Sequence, residues 1–327
     1  MINPNAKLAN FLDKEKMEMA ATRDGYGLGL IEAGEKDKRV VVLCADLTES
    51  TKSLGFKEKF PERFVQMGVA EQNMATVASG MANYGKIPFI SSYAAFSPGR
   101  NNEQIRTTVC INNVPVKIGG AHAGISVGPD GATHQALEDV ALMRVLPRMV
   151  VLVPCDAIEA HKATVGAAFN NSPTYIRFGR EKSPVITTVK TPFRIGRAEI
   201  FREGKDASII GCGMLMYNAL MAAEELSKEG IDCEVINSHT VKPLDVDTIV
   251  ASAKKTGAVV SVEEHQVHGG LGSAIAEALA KNHPVPQEFI GVQDRFGESG
   301  NPDELIEAFG MGINSIKEAV KKVIKRK

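Results

Sequence analysis

Arg39-Val-Val-Val-Leu-Cys-Ala-Asp-Leu47 is the stretch of the 327-residue sequence that decides the fold. Its apolar residues make one short buried strand, which ends where the polar Asp46 begins a loop. Helical spacing of apolar residues precedes it in Lys14–Gly34 and follows it in Glu71–Tyr84, which Gly85 ends. Short apolar runs that alternate with helical runs predict βα units and a mainly parallel sheet.

The alternation continues in two series, and Glu181–Phe193, with Pro184, Pro192 and no clear period, separates them. The first series continues as strand Pro88–Ser92, helix Asn102–Asn113, strand Val114–Ile118, helix His134–Val145, strand Met149–Val153, helix Ala157–Phe169 and strand Thr174–Phe178. The second predicts strands Ala207–Gly211, Cys233–Ser238, Ala258–Glu263 and Glu288–Gly291, helices Met216–Glu229, Asp245–Thr256 and Gly269–Lys281, and two terminal helices. We predict an α/β fold with a parallel-sheet domain (1–185), a linker (186–195) and a smaller α/β domain (196–327).

Composition excludes several classes of function. The formal net charge of −1 gives no hint of the basic face that nucleic-acid binding needs. The first residues lack the apolar core of a signal peptide, and runs such as Met149–Val153 are too short to cross a bilayer. The five cysteines are scattered, and four of them lie in or beside apolar segments, which is typical of small buried side chains in a reduced, cytoplasmic compartment.

Four segments concentrate polar residues where predicted strands end, which is where open α/β sheets bind ligands. The fourth has five glycines interleaved with His122, Asp130 and His134, so its backbone can approach a ligand while it presents three polar side chains. The segments are Cys44-Ala-Asp-Leu-Thr-Glu-Ser50, Gly68-Val-Ala-Glu-Gln-Asn-Met74, Ser91-Ser-Tyr-Ala-Ala-Phe96 and Gly119-Gly-Ala-His-Ala-Gly-Ile-Ser-Val-Gly-Pro-Asp-Gly-Ala-Thr-His-Gln135.

These segments, in this order, resemble the pyrimidine-binding domain of transketolases, and the resemblance extends over essentially the whole chain. Gly68-x-x-Glu71 looks like the family's catalytic glutamate motif, and the loop from His122 to Gln135 looks like its sugar-binding loop. The match is closest to the separate C-terminal subunits of split transketolases. The resemblance implies a pyrimidine-binding domain followed by a transketolase C-terminal domain with mainly structural and dimer-forming roles.

The resemblance implies a thiamine diphosphate site at the first of these domains. Glu71 would hydrogen-bond the cofactor's aminopyrimidine and promote its activation, and Tyr93 and Phe96 would form its aromatic platform. Asp46 matches a family aspartate near the cofactor and the subunit contact. Position alone favours an ordinary first-turn glutamate at Glu71, stabilised by the helix dipole, and the surrounding motif reverses that preference; the alternative for the two aromatic residues is half-buried core residues.

The resemblance also implies which residues bind the sugar substrate. His122, Asp130 and His134 would hydrogen-bond the donor and help to move protons, since an unperturbed histidine has a pKa of about 6.5. Arg23, Ser50 and Arg180 match positions that bind the sugar phosphate. Without a role in binding the sugar, Asp130 would be a turn former and His134 would start a helix. The three residues matched to the phosphate would be solvated surface residues.

Some residues depart from the family pattern or fit a relative. Ala70 and Gln72 stand where full-length transketolases usually have arginine and histidine, and Gly-x-Ala-Glu-Gln also resembles deoxyxylulose phosphate synthase. His122 and Asp46-Leu-Thr48 favour transketolase. In the second domain, His265 and His268 lack a third ligand cluster, so no metal site is predicted.

The sequence contains no Gly-Asp-Gly, the motif with which thiamine enzymes anchor Mg²⁺ and diphosphate. A separate N-terminal subunit would have to supply it. The predicted function is the catalytic subunit of a heteromeric transketolase of the pentose phosphate pathway, with two copies of each chain. Alternatives are a related ketol transferase, a deoxyxylulose phosphate synthase-like subunit, or a non-catalytic partner.

Overall fold

The computed structural model describes residues 1–13 and 16–327. The strands are β1 Met19–Ala21, β2 Val40–Cys44, β3 Phe64–Gln66, β4 Ile87–Tyr93, β5 Lys117–Ala121, β6 Val150–Leu152, β7 Thr174–Arg177, β8 Lys182–Pro184, β9 Glu199–Arg202, β10 Ala207–Gly211, β11 Cys233–Asn237, β12 Thr240–Lys242, β13 Val259–Gln266 and β14 Gln287–Val292. The α-helices are α1 Thr22–Lys36, α2 Leu54–Lys59, α3 Glu71–Asn83, α4 Asn102–Gln104, α5 Asp139–Arg144, α6 Ala157–Ala168, α7 Met216–Lys228, α8 Val246–Thr256, α9 Leu271–Asn282, α10 Pro302–Ala308 and α11 Ile313–Ile324. A π-helical turn, Ile105–Cys110, continues α4, and 3₁₀ turns form at Pro4–Ala6, Pro61–Arg63, Ile125–Asp130 and Gly213–Leu215.

The first sheet has seven strands in the order β12-β6-β7-β5-β4-β2-β3, and all of its pairs are parallel except β12 with β6. Successive side chains of a strand point to opposite faces, so β2 contributes to two cores. Val40 and Val42 pack with residues of α1 and α6, whereas Val41 and Leu43 pack with residues of α3. Helices on both faces explain why the central strands read as continuous apolar runs.

The second sheet has five strands in the order β14-β13-β10-β11-β9, parallel except for β9 with β11. Ile209 of β10 faces a core that includes α7 and α11, and Ile210 faces one that includes α8 and α9. The predicted fold class, a parallel-sheet domain followed by a smaller α/β domain, is therefore confirmed. β12 belongs by sequence to the second series of elements, but it pairs with β6 and so extends the first sheet. This pairing joins the two domains.

The predicted helix Lys14–Gly34 is wrong at its start. Lys14 and Glu15 lie outside the described residues, and Met19–Ala21 forms β1, which pairs antiparallel with β8. Pairing with a segment more than 160 residues away overrides the local helical pattern. β8 lies inside Glu181–Phe193, which the sequence presents only as an aperiodic break.

The predicted helix His134–Val145 is also shorter in the structure, where α5 covers only Asp139–Arg144. The residues before it are held outside a helix by partners elsewhere in the chain: Ala136 bridges to Ala123, and the Gln135 amide donates to the carbonyls of Ile125 and of the distant Glu298. The predicted strand Val114–Ile118 lies three residues further on, at β5.

Other expectations about side chains and elements agree with the structure. The two terminal helices form as α10 and α11, and all five cysteines are buried free thiols. Among the described residues, no helix combines the length and apolar character needed to cross a bilayer.

Candidate active site

The carboxyl ends of the parallel strands bring most of the predicted site residues to one edge of the first sheet. The register pairs Cys44 of β2 with Ser91 of β4, and Tyr93 with Ala121 of β5. The loops that follow these strands therefore start side by side. This edge is where an open α/β sheet offers a crevice to a ligand.

Glu71 is the first residue of α3 and only 1% exposed. Its carboxylate accepts hydrogen bonds from Ser92 Oγ (3.2 Å) and from Arg100 Nη1 (2.6 Å). Its own carbonyl accepts from Asn101 Nδ2 at 3.1 Å, so the backbone is fixed as well. Gly68, at φ +69°, makes the turn that leads from β3 into the helix. A buried carboxylate is thus held at a helix N-terminus by one hydroxyl and one cation.

Four aromatic rings gather beside this carboxylate, and we call them the aromatic cluster: Tyr93, Phe96, His122 and His134. Tyr93 stacks on His122 with ring centroids 4.0 Å apart, and Phe96 meets His134 edge-on at 5.5 Å. The Arg100 guanidinium lies 4.7 Å from the centre of the Phe96 ring, so it connects Glu71 to the cluster. Residues from three strand ends, separated in sequence, therefore form one continuous site.

His122 is 2% exposed and takes the left-handed backbone conformation, with φ at +53°, which is uncommon for a residue other than glycine. Burial, together with the positive charges of Arg23 and Arg180, lowers the pKa of His122 to about 3. The imidazole is therefore neutral near pH 7, and it does not titrate near neutrality as an unperturbed histidine would. Its Nδ1 atom is buried without a hydrogen-bond partner among the described residues.

The rest of the predicted sugar set lies on the loop after β5 and on the residues that follow β7. His134 is half-buried, and its Nδ1 atom is 2.9 Å from Thr133 Oγ1. Arg180 donates to the carbonyl of Val127 (3.0 Å), and its Nη1 atom lies 3.9 Å from Asp130 Oδ1. Asp130 is exposed. Arg180 thus links the residues after β7 to the glycine-rich loop.

Arg23 and Ser50 also come together. Arg23 lies in the first turn of α1 and donates to the carbonyl of Ser50 at 3.3 Å, while its Nε atom is buried without a partner among the described residues. Asp46 does not join this group. Its side chain is exposed, its backbone has a φ of +58°, and its N–H donates to Gln66 Oε1 at 2.9 Å. No hydrogen bond or ion pair of the described residues joins its carboxylate to the other predicted site residues.

Sequence reasoning missed two groups that hold the Glu71 carboxylate. Arg100 follows Phe96 in a Ser-Pro-Gly-Arg segment, and Ser92 lies inside β4. A cation close after an aromatic residue at a strand end was the only local signal for Arg100. Ser92 lies in a polar strand-end segment that the sequence singles out, but nothing local indicates its contact with Glu71, which spans 21 residues.

The chemistry of these residues fits one end of a thiamine cofactor. A buried carboxylate beside the rings of Tyr93 and Phe96 suits a flat ring with polar edges, such as an aminopyrimidine. The described residues contain no group of three or more His, Cys, Asp or Glu side chains that could hold a metal ion.

Comparison with protein families gives two matches along the chain. Residues 18–185 match the transketolase pyrimidine-binding domain, and residues 196–316 match the transketolase C-terminal domain. The subunit SqwH of a 6-deoxy-6-sulfo-D-fructose transketolase from Clostridium sp. (strain MSTE9) is 42% identical over 95% of this chain and 97% of its own length.

Two further relatives also align with this chain over nearly the full length of both chains. A putative transketolase C-terminal section from Methanocaldococcus jannaschii is 42% identical over 93% of this chain and 96% of its own length. A solved structure described as a split-gene transketolase, inactive β4 tetramer, superposes with a TM-score of 0.89 at 46% identity, over 94% of this chain and 99% of that one. The chain therefore belongs to the transketolase family and carries that family's pyrimidine-binding and C-terminal domains.

Proposed function

We propose that this chain is the catalytic subunit of a heteromeric transketolase, which transfers a two-carbon ketol unit from a ketose phosphate to an aldose phosphate. The observation that carries the proposal is the buried Glu71 carboxylate, which Arg100 connects to the aromatic cluster. The proposed domains are residues 1–185 and 196–327, with a linker at 186–195. The cytoplasmic location also stays a prediction.

The transketolase family depends on thiamine diphosphate and a metal ion, which together supply the carbon nucleophile that cleaves and forms carbon–carbon bonds in ketol sugars. In this proposal Glu71 binds the aminopyrimidine edge and exchanges a proton with it, while Tyr93 and Phe96 bind its face. Burial makes the Glu71 carboxylate effective in this role, because water does not compete for it. Asp46 would lie near the cofactor and the contact with another subunit.

The sugar would lie on the other side of the aromatic cluster. A neutral His122 donates or accepts hydrogen bonds without charge, which suits sugar hydroxyls and a carbonyl. His134 and Asp130 would complete this polar set. Arg180, Arg23 and Ser50 would bind the terminal phosphate, for which the guanidinium fork is well suited.

The proposal includes a separate N-terminal subunit that holds Mg²⁺ and the diphosphate. The sequence lacks Gly-Asp-Gly, and the two similar proteins named as a subunit and as a C-terminal section have nearly the same extent as this chain. The similar tetramer of β chains is described as inactive, which supports the need for a second kind of chain. We propose two copies of each chain, since closed two-fold assemblies are the commonest solution.

Similarity to the sulfofructose enzyme favours one second candidate, ketol transfer from a sulfonated sugar. Arginine can pair with sulfonate oxygens as it does with phosphate, so the anion-binding residues Arg180, Arg23 and Ser50 suit either donor. A deoxyxylulose phosphate synthase-like subunit and a non-catalytic partner are the remaining alternatives. The presence of Glu71, His122 and His134 together argues against a non-catalytic role.

Replacement of Glu71 tests the proposal. Glu71→Ala, reconstituted with a diphosphate-binding transketolase subunit, Mg²⁺ and thiamine diphosphate, should lose about 10²–10⁴-fold in turnover, the usual contribution of a general acid–base group. Glu58→Ala, an exposed glutamate of α2, is the matched control and should be fully active. Near-normal turnover by Glu71→Ala would rule out the proposed role.

A further inference from the structure

One carboxylate of the second domain reaches into the loop that carries the candidate sugar-binding residues. Glu264 lies near the end of β13 and is 5% exposed. Its Oε1 atom accepts the backbone N–H of Ser126 at 2.6 Å, across 138 residues of sequence. Ser126 lies between His122 and Asp130. A side chain of one domain therefore fixes the backbone of the loop in the other.

The loop is shaped to receive this carboxylate. Gly124 adopts φ +96° and ψ 177°, a conformation that is essentially restricted to glycine. A Cβ atom at this position would lie 2.3 Å from Glu264 Oε1, so only a residue without a side chain allows the contact. The loop backbone therefore binds the Glu264 carboxylate at Ser126, and the missing side chain of Gly124 leaves the space that the carboxylate needs.

The end of β13 holds the other side of the same loop. The N–H of Gln266 donates to the carbonyl of Leu137 (2.8 Å), and the N–H of Ala141 donates to His265 Nε2 (3.3 Å). The segment Glu264–Gln266 thus binds the loop both before and after His134. The His134 backbone is bonded within the loop, where its N–H donates to the carbonyl of Gly131 and its carbonyl accepts from Ala136, so the points that fix the loop also position His134.

A buried ion pair keeps Glu264 itself in place. Its carbonyl accepts from Arg177 Nη2 at 2.8 Å, and Arg177 Nε donates to Asp139 Oδ2 at 2.9 Å. Burial raises the pKa of the Glu264 carboxyl, and Arg177 and the Ser126 N–H oppose that rise. Removal of the carboxyl group would leave the buried Ser126 N–H without an acceptor, which is costly in a site closed to water.

We propose that Glu264 is a positioning residue of the sugar-binding loop, through which the second domain sets the affinity for the ketose donor. This inference rests on the proposed function for the role of His122, Asp130 and His134. The neighbouring Glu263 offers a matched contrast. It is equally buried, but its carboxylate accepts the N–H groups of Leu271 and Gly272 at the start of α9, within its own domain.

Amide hydrogen exchange on the full chain tests the positioning directly and needs no activity. In Glu264→Ala, amides between residues 123 and 131 should exchange about tenfold faster or more, the equivalent of about 1.4 kcal/mol for a lost hydrogen bond to a charged acceptor. Glu264→Gln keeps an acceptor oxygen and should restore much of the protection. Glu263→Ala should speed exchange at the start of α9 and leave the loop unchanged.

Kinetics of the reconstituted enzyme test the consequence for the sugar. Glu264→Ala should raise KM for the ketose donor at least about tenfold, with a smaller change in kcat and an unchanged Kd for thiamine diphosphate. Glu264→Gln should lie close to the unaltered chain, and Glu263→Ala should keep a normal donor KM.

Unchanged loop exchange in Glu264→Ala, or equal effects of Glu263→Ala on the donor KM, would overturn the inference. If Glu264→Ala does not fold, exchange in Glu264→Leu, which fills the space but has no acceptor oxygen, decides: loop protection lost while α9 stays protected supports positioning, and retained loop protection or a general loss overturns it. If the unaltered chain reconstitutes without ketol transfer, the proposed function fails, and loop exchange still decides the positioning.

Discussion

At the scale of single residues, burial rather than residue type determines what the candidate site can do. His122 has a pKa of about 3 because the fold buries it near two arginines, so it contributes hydrogen bonds of a neutral ring and no titration near pH 7. Glu71 is equally buried but has a cation and a hydroxyl as partners. Two polar side chains at one sheet edge thus have different roles because their partners differ.

Replacement of Arg180 distinguishes anionic donors from neutral ones. Arg180→Ala should raise KM for a phosphorylated or sulfonated ketose about tenfold or more, because it removes a charge-assisted contact, and should alter KM for an unphosphorylated ketose little. Arg39→Ala is the matched control, since Arg39 precedes β2 at the opposite edge of the sheet. Equal losses for charged and neutral donors would contradict the assignment.

A preference between phosphate and sulfonate in the unaltered enzyme would select between the two candidate substrates.

The sequence could predict which residues gather at the site but not how they are bonded. Glu71, Tyr93 and His122 each follow a predicted strand, so a parallel sheet brings them to one edge. The partners Arg100 and Glu264 could not be predicted, because their contacts join positions 29 and 138 residues apart. Side-chain pairing over such distances depends on loop conformations that no local pattern encodes.

At the scale of elements, close helix packing fixes the first turn of α1, where Arg23 lies. A Cβ atom at Gly25 would lie 1.9 Å from the carbonyl oxygen of Ala157, at the start of α6. These helices lie on the same face of the first sheet. The approach of α1 to α6 therefore requires glycine at this position.

Gly25→Ala should lower the free energy of unfolding by about 1–3 kcal/mol, the usual cost of overpacking, because a backbone carbonyl cannot move aside. Gly80→Ala is the control: Gly80 lies in α3, where, apart from the adjoining backbone of its own helix, no described atom lies within 4 Å of the added Cβ. There alanine should stabilise the helix by about 0.5–1 kcal/mol. Denaturant unfolding of both variants measures the difference, and similar effects at the two positions would refute the packing argument.

Elements with a strong local pattern could be predicted, and those that depend on a distant partner could not. β2, α3 and β10 are long apolar or helical runs, and they form where the sequence indicates. β1 and β8 have three residues each and form only because they pair with one another. The helix predicted from His134 fails for the same reason, since the Gln135 amide donates to the carbonyl of Glu298, 163 residues further along the chain.

At the scale of the whole molecule, the two domains are joined at several points near the candidate site. β12 extends the first sheet, and Glu264 holds the glycine-rich loop. Asp156, at the start of α6, accepts the N–H groups of Ile186 and Thr187, which the sequence places in the linker. The linker is therefore bound to the first domain at its start.

The central claim is a division of labour, in which this chain binds the aminopyrimidine end of the cofactor and the sugar, and a separate chain binds the metal and diphosphate. Binding of cofactor across the two chains should also tighten their assembly by linkage. The absence of Gly-Asp-Gly and the buried Glu71 are the two observations behind it. Each chain alone would then hold only one end of the cofactor.

The most direct test is ketol transfer by the purified chain alone and after addition of a diphosphate-binding transketolase subunit, Mg²⁺ and thiamine diphosphate. A panel of phosphorylated and sulfonated ketose donors with aldose phosphate acceptors covers both candidate substrates. We expect no turnover and weak cofactor binding by the chain alone, and turnover with a tighter assembly of two copies of each chain in the mixture. Robust ketol transfer by the isolated chain, verified free of any partner, would contradict the account.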